Sequence, residues 1–255
     1  MIRFLKWVKI FFWWGTFTIL IASLVFVSVL NNNLTNVPRL PYTHNISDDY
    51  PTDYRKAVEK SRYSAVLVKS GDLTLRGFSS LSGTYFIAND EPYVITAAHG
   101  IGGPCFLTTI IYEDEYYSCD EYVDINIYDD YAIIKLTRRI PNREPIHIPE
   151  DLPRGSQWKA SYSILNKIIY TGYPNSIGPL TLKGDVVGYA EADYLYVFSY
   201  AYGGSSGSGV FATNGKYIGL VTAVDIGYTD SGVEVLENIV LVTPIFKVDW
   251  SVVLD

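Results

Sequence analysis

From Ser64 onward the chain is cut into apolar runs too short for packed helices, each closed by turn-forming residues. One set comprises Ala65-Val66-Leu67-Val68, Thr84-Tyr85-Phe86-Ile87, Tyr93-Val94-Ile95-Thr96, residues 106–111, residues 124–128 and Ala132-Ile133-Ile134. A second set comprises Ile168-Ile169-Tyr170 and residues 184–189, 194–200, 209–212, 217–224 and 239–242. β-Branched and aromatic side chains dominate both, so runs of this length and spacing predict an all-β chain folded as barrels or sandwiches. Between the sets stand Pro141, Pro145, Pro149 and Pro153. Proline cannot donate to a sheet ladder, so residues 141–155 are read as a connector. The first β-unit then covers about 61–140 and the second 156–255, with residues 246–254 expected to form one short helix packed on the second unit. No internal repeat of fixed period stands out.

The N-terminus obeys different rules. Arg3, Lys6 and Lys9 precede residues 10–30, a run of 21 residues without a charge. At about 1.5 Å per residue, a helix of that length spans a hydrocarbon core of about 30 Å. The basic flank favours a cytoplasmic N-terminus, and Trp7, Trp13 and Trp14 suit the interface. The expectation is one N-terminal transmembrane helix acting as a signal anchor, with secretion after signal cleavage as the alternative. Residues 31–60, with Pro38, Pro41, Pro51 and no sustained period, read as an extracytoplasmic tether. Two glycosylation sequons, at Asn33 and Asn45, are attributed to chance. With Arg3, Lys6 and Lys9 set aside, the remainder carries 17 basic residues against 27 acidic ones, net −10. That balance gives a phosphate backbone nothing to bind, which excludes nucleic acid as a partner.

Seven small residues, Gly203-Gly204-Ser205-Ser206-Gly207-Ser208-Gly209, follow Tyr202. Composition alone fits a flexible connector. Glycine also permits a sharp turn that exposes a hydroxyl among converging backbone amides. A nucleophilic serine needs a base. Of three histidines, His44 lies in the tether and His147 in the connector, whereas His99 ends an apolar strand among small neighbours. Asp130 opens the strand Tyr131-Ala132-Ile133-Ile134, where a carboxylate can orient an imidazole. Chain order is therefore His99, Asp130, Ser206, with gaps of 31 and 76 residues. Gly203-Gly204-Ser205-Ser206-Gly207 also fits the nucleophile elbow of α/β-hydrolases, with Ser205 as nucleophile. That fold places its histidine after the serine, and none follows His147.

Thr96-Ala97-Ala98-His99 resembles the histidine motif of the chymotrypsin-like (trypsin-like) serine proteases. Asp130-Tyr131-Ala132-Ile133-Ile134 resembles their aspartate strand, and Gly204-Ser205-Ser206-Gly207-Ser208 their serine loop. Gly83-Thr84-Tyr85-Phe86-Ile87, Gly172-Tyr173-Pro174, Gly184-Asp185-Val186-Val187 and Ile218-Gly219-Leu220-Val221-Thr222-Ala223 are similar to the bacterial branch, including HtrA-like and glutamyl-endopeptidase-like enzymes. The resemblance covers about residues 65–253. It implies a chymotrypsin-like double barrel of two six-stranded β-barrels with the site between them. It further implies a serine-type endopeptidase acting on protein or peptide substrates without cofactor or metal. His99 would take the proton of Ser206, Asp130 would orient His99, and the N–H groups of Gly204 and Ser206 would form the oxyanion hole. A pocket wall for substrate is expected from residues 198–203 and 222–225, with Tyr200, Thr222 and Ala223 as its candidates. Those residue types suit small or medium apolar side chains, although Asp225 lies close in sequence. Ser205 stands where the trypsin branch carries an acid that pairs with a freed amino terminus, which disfavours that mode of activation. Ser208 is a lesser candidate nucleophile, and Tyr131 departs from the small aliphatic residue usual after the aspartate. The alternative function is a non-catalytic peptide-binding or assembly module on the same fold.

Cys105 and Cys119 are the only cysteines. Outside the cytoplasm an even pair suggests a disulfide bracing the loop after His99, the alternative being two buried thiols. A metal site would need more ligands than this chain groups together.

Overall fold

The computed structural model describes residues 52–73, 77–141, 145–148, 158–229 and 232–254, without the side chains of 52, 53, 160, 161 and 223–237. The expected transmembrane run 10–30, both sequons and His44 lie outside these residues. Among the described residues no helix is long and apolar enough to cross a membrane.

Twelve strands form two closed barrels. The first contains β1 (Ala65–Gly71), β2 (Phe78–Ala88), β3 (Glu91–Thr96), β4 (Thr108–Tyr112), β5 (Glu115–Asn126) and β6 (Tyr131–Leu136). The second contains β7 (Lys167–Gly172), β8 (Leu180–Tyr189), β9 (Leu195–Phe198), β10 (Gly209–Ala212), β11 (Tyr217–Thr229) and β12 (Gly232–Pro244). The order around the first barrel is β1-β2-β3-β6-β5-β4, and around the second β7-β8-β9-β12-β11-β10. The two halves therefore repeat one topology, although no sequence period announces it.

Side chains alternate between strand faces, and here both faces are buried. Val66, Val68, Tyr85, Val94 and Ile134 fill the first barrel, while Ile168, Tyr170, Val186, Val197 and Val210 fill the second. Their strand neighbours Phe86, Tyr93, Ile95 and Ile133 turn outward to meet Phe211, Tyr217 and Leu220 of the second barrel in a shared core. Double-sided burial explains why the strands read as unbroken apolar runs instead of alternating ones.

Two segments differ from the sequence expectation. Thr52–Ser64, in and just beyond the stretch read as a tether without periodicity, forms α1. Its buried stripe is Ala57, Ser61 and Ser64, spaced for one helical face, and these small residues carry almost no hydropathy signal. Ser61 Oγ donates to Thr171 Oγ1 at 2.8 Å, seating α1 on β7. The chain end is a 3-10 turn at Ile245–Lys247 and a four-residue helix, Ser251–Leu254, instead of one helix over 246–254. It also packs on both barrels. Trp250 meets Phe86 edge-on at 5.5 Å, Asp249 N–H donates to Tyr131 Oη at 3.1 Å, and Val253 joins the shared core.

Cys105 and Cys119 are joined by a disulfide, tying the loop beyond His99 to β5. Closing a loop of 14 residues restricts the unfolded chain. Replacing both cysteines with serine is expected to lower stability by about 3 kcal/mol, read as a reduced urea midpoint.

Candidate active site

β3 ends at Thr96, and the buried Ala97 and Ala98 lead into a 3-10 turn that leaves His99 at the surface. The imidazole is 51% exposed, while the Asp130 carboxyl is only 14% exposed. Asp130 grips His99 twice: Oδ1 accepts the His99 backbone N–H at 2.8 Å, and Oδ2 lies 2.7 Å from Nδ1. A carboxylate accepts, so Nδ1 carries the proton and Nε2 keeps its lone pair for a substrate-side proton.

Asp130 holds a positive φ of 51°, a conformation that aspartate tolerates better than most side chains. The preceding turn is fixed from several sides. Asn126 Oδ1 accepts the N–H groups of Tyr128 and Asp129, each at 3.0 Å. Asp129 pairs with Lys247 Nζ of the second barrel at 2.7 Å, and its carbonyl accepts Thr243 Oγ1 at 3.0 Å. The two adjacent acids are thereby sorted, with Asp129 closing the turn and Asp130 facing the histidine. Tyr131 belongs to the same support: its ring lies in the shared core and its hydroxyl donates to Asp124 at 2.8 Å.

The hydrogen bond that His99 donates to Asp130 raises the His99 pKa above its ordinary 6.5; partial burial opposes this and the carboxylate charge adds to it. A histidine that serves as a general base must be neutral, so any kcat/KM that depends on His99 in that role is expected to fall on the acid side through an apparent pKa above 6.5. A pH–rate profile checks this, and removing the Asp130 charge should move that limb to lower pH. For stability the sign is opposite. The charged pair stabilises the fold fully below pH 6.5, and that contribution is lost as pH rises through the raised value.

In the Gly/Ser turn the three serines differ sharply. Ser205 and Ser208 are buried, at 2% and 0% exposure, and both hydroxyls serve the backbone. Ser205 Oγ accepts Tyr202 N–H at 3.2 Å, and Ser208 Oγ donates to Ser205 O at 2.7 Å. Ser206 alone is partly exposed. Neighbouring amides are engaged, Ser205 N with Tyr202 O, Gly207 N with Val221 O and Ser208 N with Ser205 O. The N–H groups of Gly204 and Ser206 have no acceptor among the described residues.

This turn sits against the strands that lead to His99. Ser82 N–H of β2 donates to Ser206 O at 2.9 Å. Gly207, at φ 88°, is so close that a Cβ would lie 2.0 Å from Ser82 O and 3.0 Å from Thr96 Cα. Thr96 is three residues before His99. No hydrogen bond joins Ser206 Oγ to His99 among the described residues.

The fold is the chymotrypsin-like double barrel. Its match to a crystal structure of the serine endoprotease from Yersinia pestis has a TM-score of 0.57 at 21% identity, covering 77% of this chain and 64% of that one. An HtrA-type protease, AlgW with tripeptide, matches with a TM-score of 0.56 at 16% identity, covering 76% and 60%. The chain thus spans less than two thirds of either structure. No protein-family model matches the sequence, and no curated protein sequence matches it.

On this double barrel the expected pocket residues take different places. Tyr200 is half-exposed, and its carbonyl accepts the Tyr170 hydroxyl. Thr222 is 5% exposed, with Oγ1 2.7 Å from Thr243 Oγ1, so its hydroxyl belongs to the support beneath Asp129. Ala223 lies in β11, but its side chain and that of Asp225 are outside the described set. His147 is exposed in the connector. Sequence reasoning missed Ser82 and Lys247. The signal for Ser82 was a lone hydroxyl between Leu81 and the Gly83 strand run; Lys247 carried none.

Proposed function

We propose that the chain is a membrane-anchored serine endopeptidase whose protease domain lies outside the cytoplasm. Residues 10–30 would hold it in the bilayer, and the cytoplasmic side would receive Arg3, Lys6 and Lys9. The observation that carries the catalytic reading is the double grip of Asp130 on His99, at 2.8 and 2.7 Å. His99 follows β3, one of the strands against which the only partly exposed serine of the turn is seated.

In this reading His99 Nε2 takes the Ser206 proton as Oγ bonds to the scissile carbonyl carbon. The carbonyl oxygen gains the charge and points at the Gly204 and Ser206 N–H groups. His99 then hands the proton to the leaving amine as the C–N bond breaks. Water activated by the same imidazole cleaves the acyl-enzyme. Ser205, buried and bonded to Tyr202, offers no ion pair for a new amino terminus. No step calls for a cofactor.

The test uses the purified full chain in detergent, treated with a fluorophosphonate and digested for mass spectrometry. An adduct on Ser206, together with cleavage of a protein substrate, supports the reading. A folded chain that binds peptide but takes no adduct overturns it in favour of a binding module. In a peptide library, cleavage is expected after small or medium apolar residues, and predominant cleavage after Lys or Arg would overturn that preference.

A further inference from the structure

We propose that Ser82 is the positioning residue for the oxyanion-binding amides, an inference that rests on the endopeptidase reading. Ser82 is fully buried in β2, and its four hydrogen bonds join three separate segments. Its Oγ accepts Tyr173 N–H at 2.8 Å and donates to Gly204 O at 2.7 Å. Its N–H donates to Ser206 O at 2.9 Å, and its carbonyl accepts Thr96 Oγ1 at 2.6 Å.

A trans peptide plane points its C=O and N–H in opposite directions, so fixing either end fixes the other. The Gly204–Ser205 plane is held by Ser82 Oγ at the carbonyl and by Tyr202 O at the amide. The Ser206–Gly207 plane is held by Ser82 N–H at the carbonyl and by Val221 O at the amide. These two planes flank the Ser205–Ser206 plane, which carries the Ser206 N–H. The Gly203–Gly204 plane carries the other donor, and its carbonyl accepts Asn175 N–H at 2.6 Å. Asn175 follows Tyr173 by two residues, and Tyr173 N–H is the group that Ser82 Oγ receives. Ser82 of the first barrel thus frames both free amides of the second, with its hydroxyl at Gly204 O and Tyr173 N–H and its own N–H at Ser206 O. Only a group that donates and accepts at once can do this, which a hydroxyl does and a methyl does not. Gly172 shows how little room there is, since a Cβ there would lie 2.5 Å from Ser82 Oγ.

The experiment compares the full chain with its Ser82→Ala and Ser82→Cys variants in two arms. In the kinetic arm, Ser82→Ala is expected to lower kcat about 10- to 100-fold, with KM within about twofold and the His99 acid limb unmoved. In the exchange arm, deuterium uptake at the amides of Tyr173, Ser205, Gly207 and Ser208 rises, with the rest of the chain unchanged. Wild-type kcat, a loss carried by KM or a shifted acid limb overturns the proposal. Unchanged exchange in the turn overturns it whatever the activity. If Ser82→Ala does not fold, Ser82→Cys decides, because a thiol leaves no void, being slightly larger than the hydroxyl, but donates weakly. It should lose about three- to tenfold in kcat, and full activity with wild-type exchange overturns the proposal. Absence of turnover and adduct in the wild-type chain defeats the endopeptidase reading instead, and the exchange arm still decides what Ser82 does.

Discussion

Alanine at position 206 is expected to lower kcat about a millionfold and abolish the fluorophosphonate adduct, with the melting temperature nearly unchanged. Ser206 is partly exposed, and its Oγ makes no hydrogen bond to the fold among the described residues. Its loss therefore removes chemistry without removing support. The neighbouring serines should behave the opposite way. Ser205→Ala and Ser208→Ala each delete a buried hydroxyl that bonds the turn, so they should melt earlier while keeping the adduct. An adduct retained in Ser206→Ala would dismiss Ser206 as nucleophile.

Asparagine at position 130 is expected to reduce kcat about 10,000-fold while KM changes little. The carboxylate now accepts from both the backbone N–H and Nδ1 of His99. An amide has one oxygen for these two donors. When its NH2 faces the ring, Nδ1 becomes the acceptor and the proton moves to Nε2, the nitrogen that must receive the Ser206 proton. Nitrogen chemical shifts of labelled histidine would report that tautomer directly. Asp129→Asn is the control. It weakens the pair with Lys247 but leaves the His99 contacts in place, so it should cost well under tenfold. Equal losses in the two variants would mean that the turn as a whole matters, and not the carboxylate of Asp130.

Much of the double barrel was legible in the sequence because its strands are buried on both faces. Val94 and Ile95 point into different cores, yet both must be apolar, and this leaves an unmistakable run. The pairing of His99 with Asp130 was equally readable, since each residue sits at the end of such a run. What escaped were features without a hydropathy signature. The buried stripe of α1 is alanine and serine, so the helix looked like polar linker. Ser82 and Lys247 act through single polar atoms across the barrel boundary, and sequence distance hides the partners. The cores that fix each barrel leave no periodic trace, so the repeated strand order emerged only from the sheets.

The shared core also decides what could be separated from what. Cut between its barrels, this chain would not yield two portable modules. Phe86, Tyr93, Ile95 and Ile133 would face water on one piece, and Phe211, Tyr217, Leu220 and Trp250 on the other. Each half is the missing wall of its partner. A polar substitution on either apolar face is therefore expected to weaken both barrels at once.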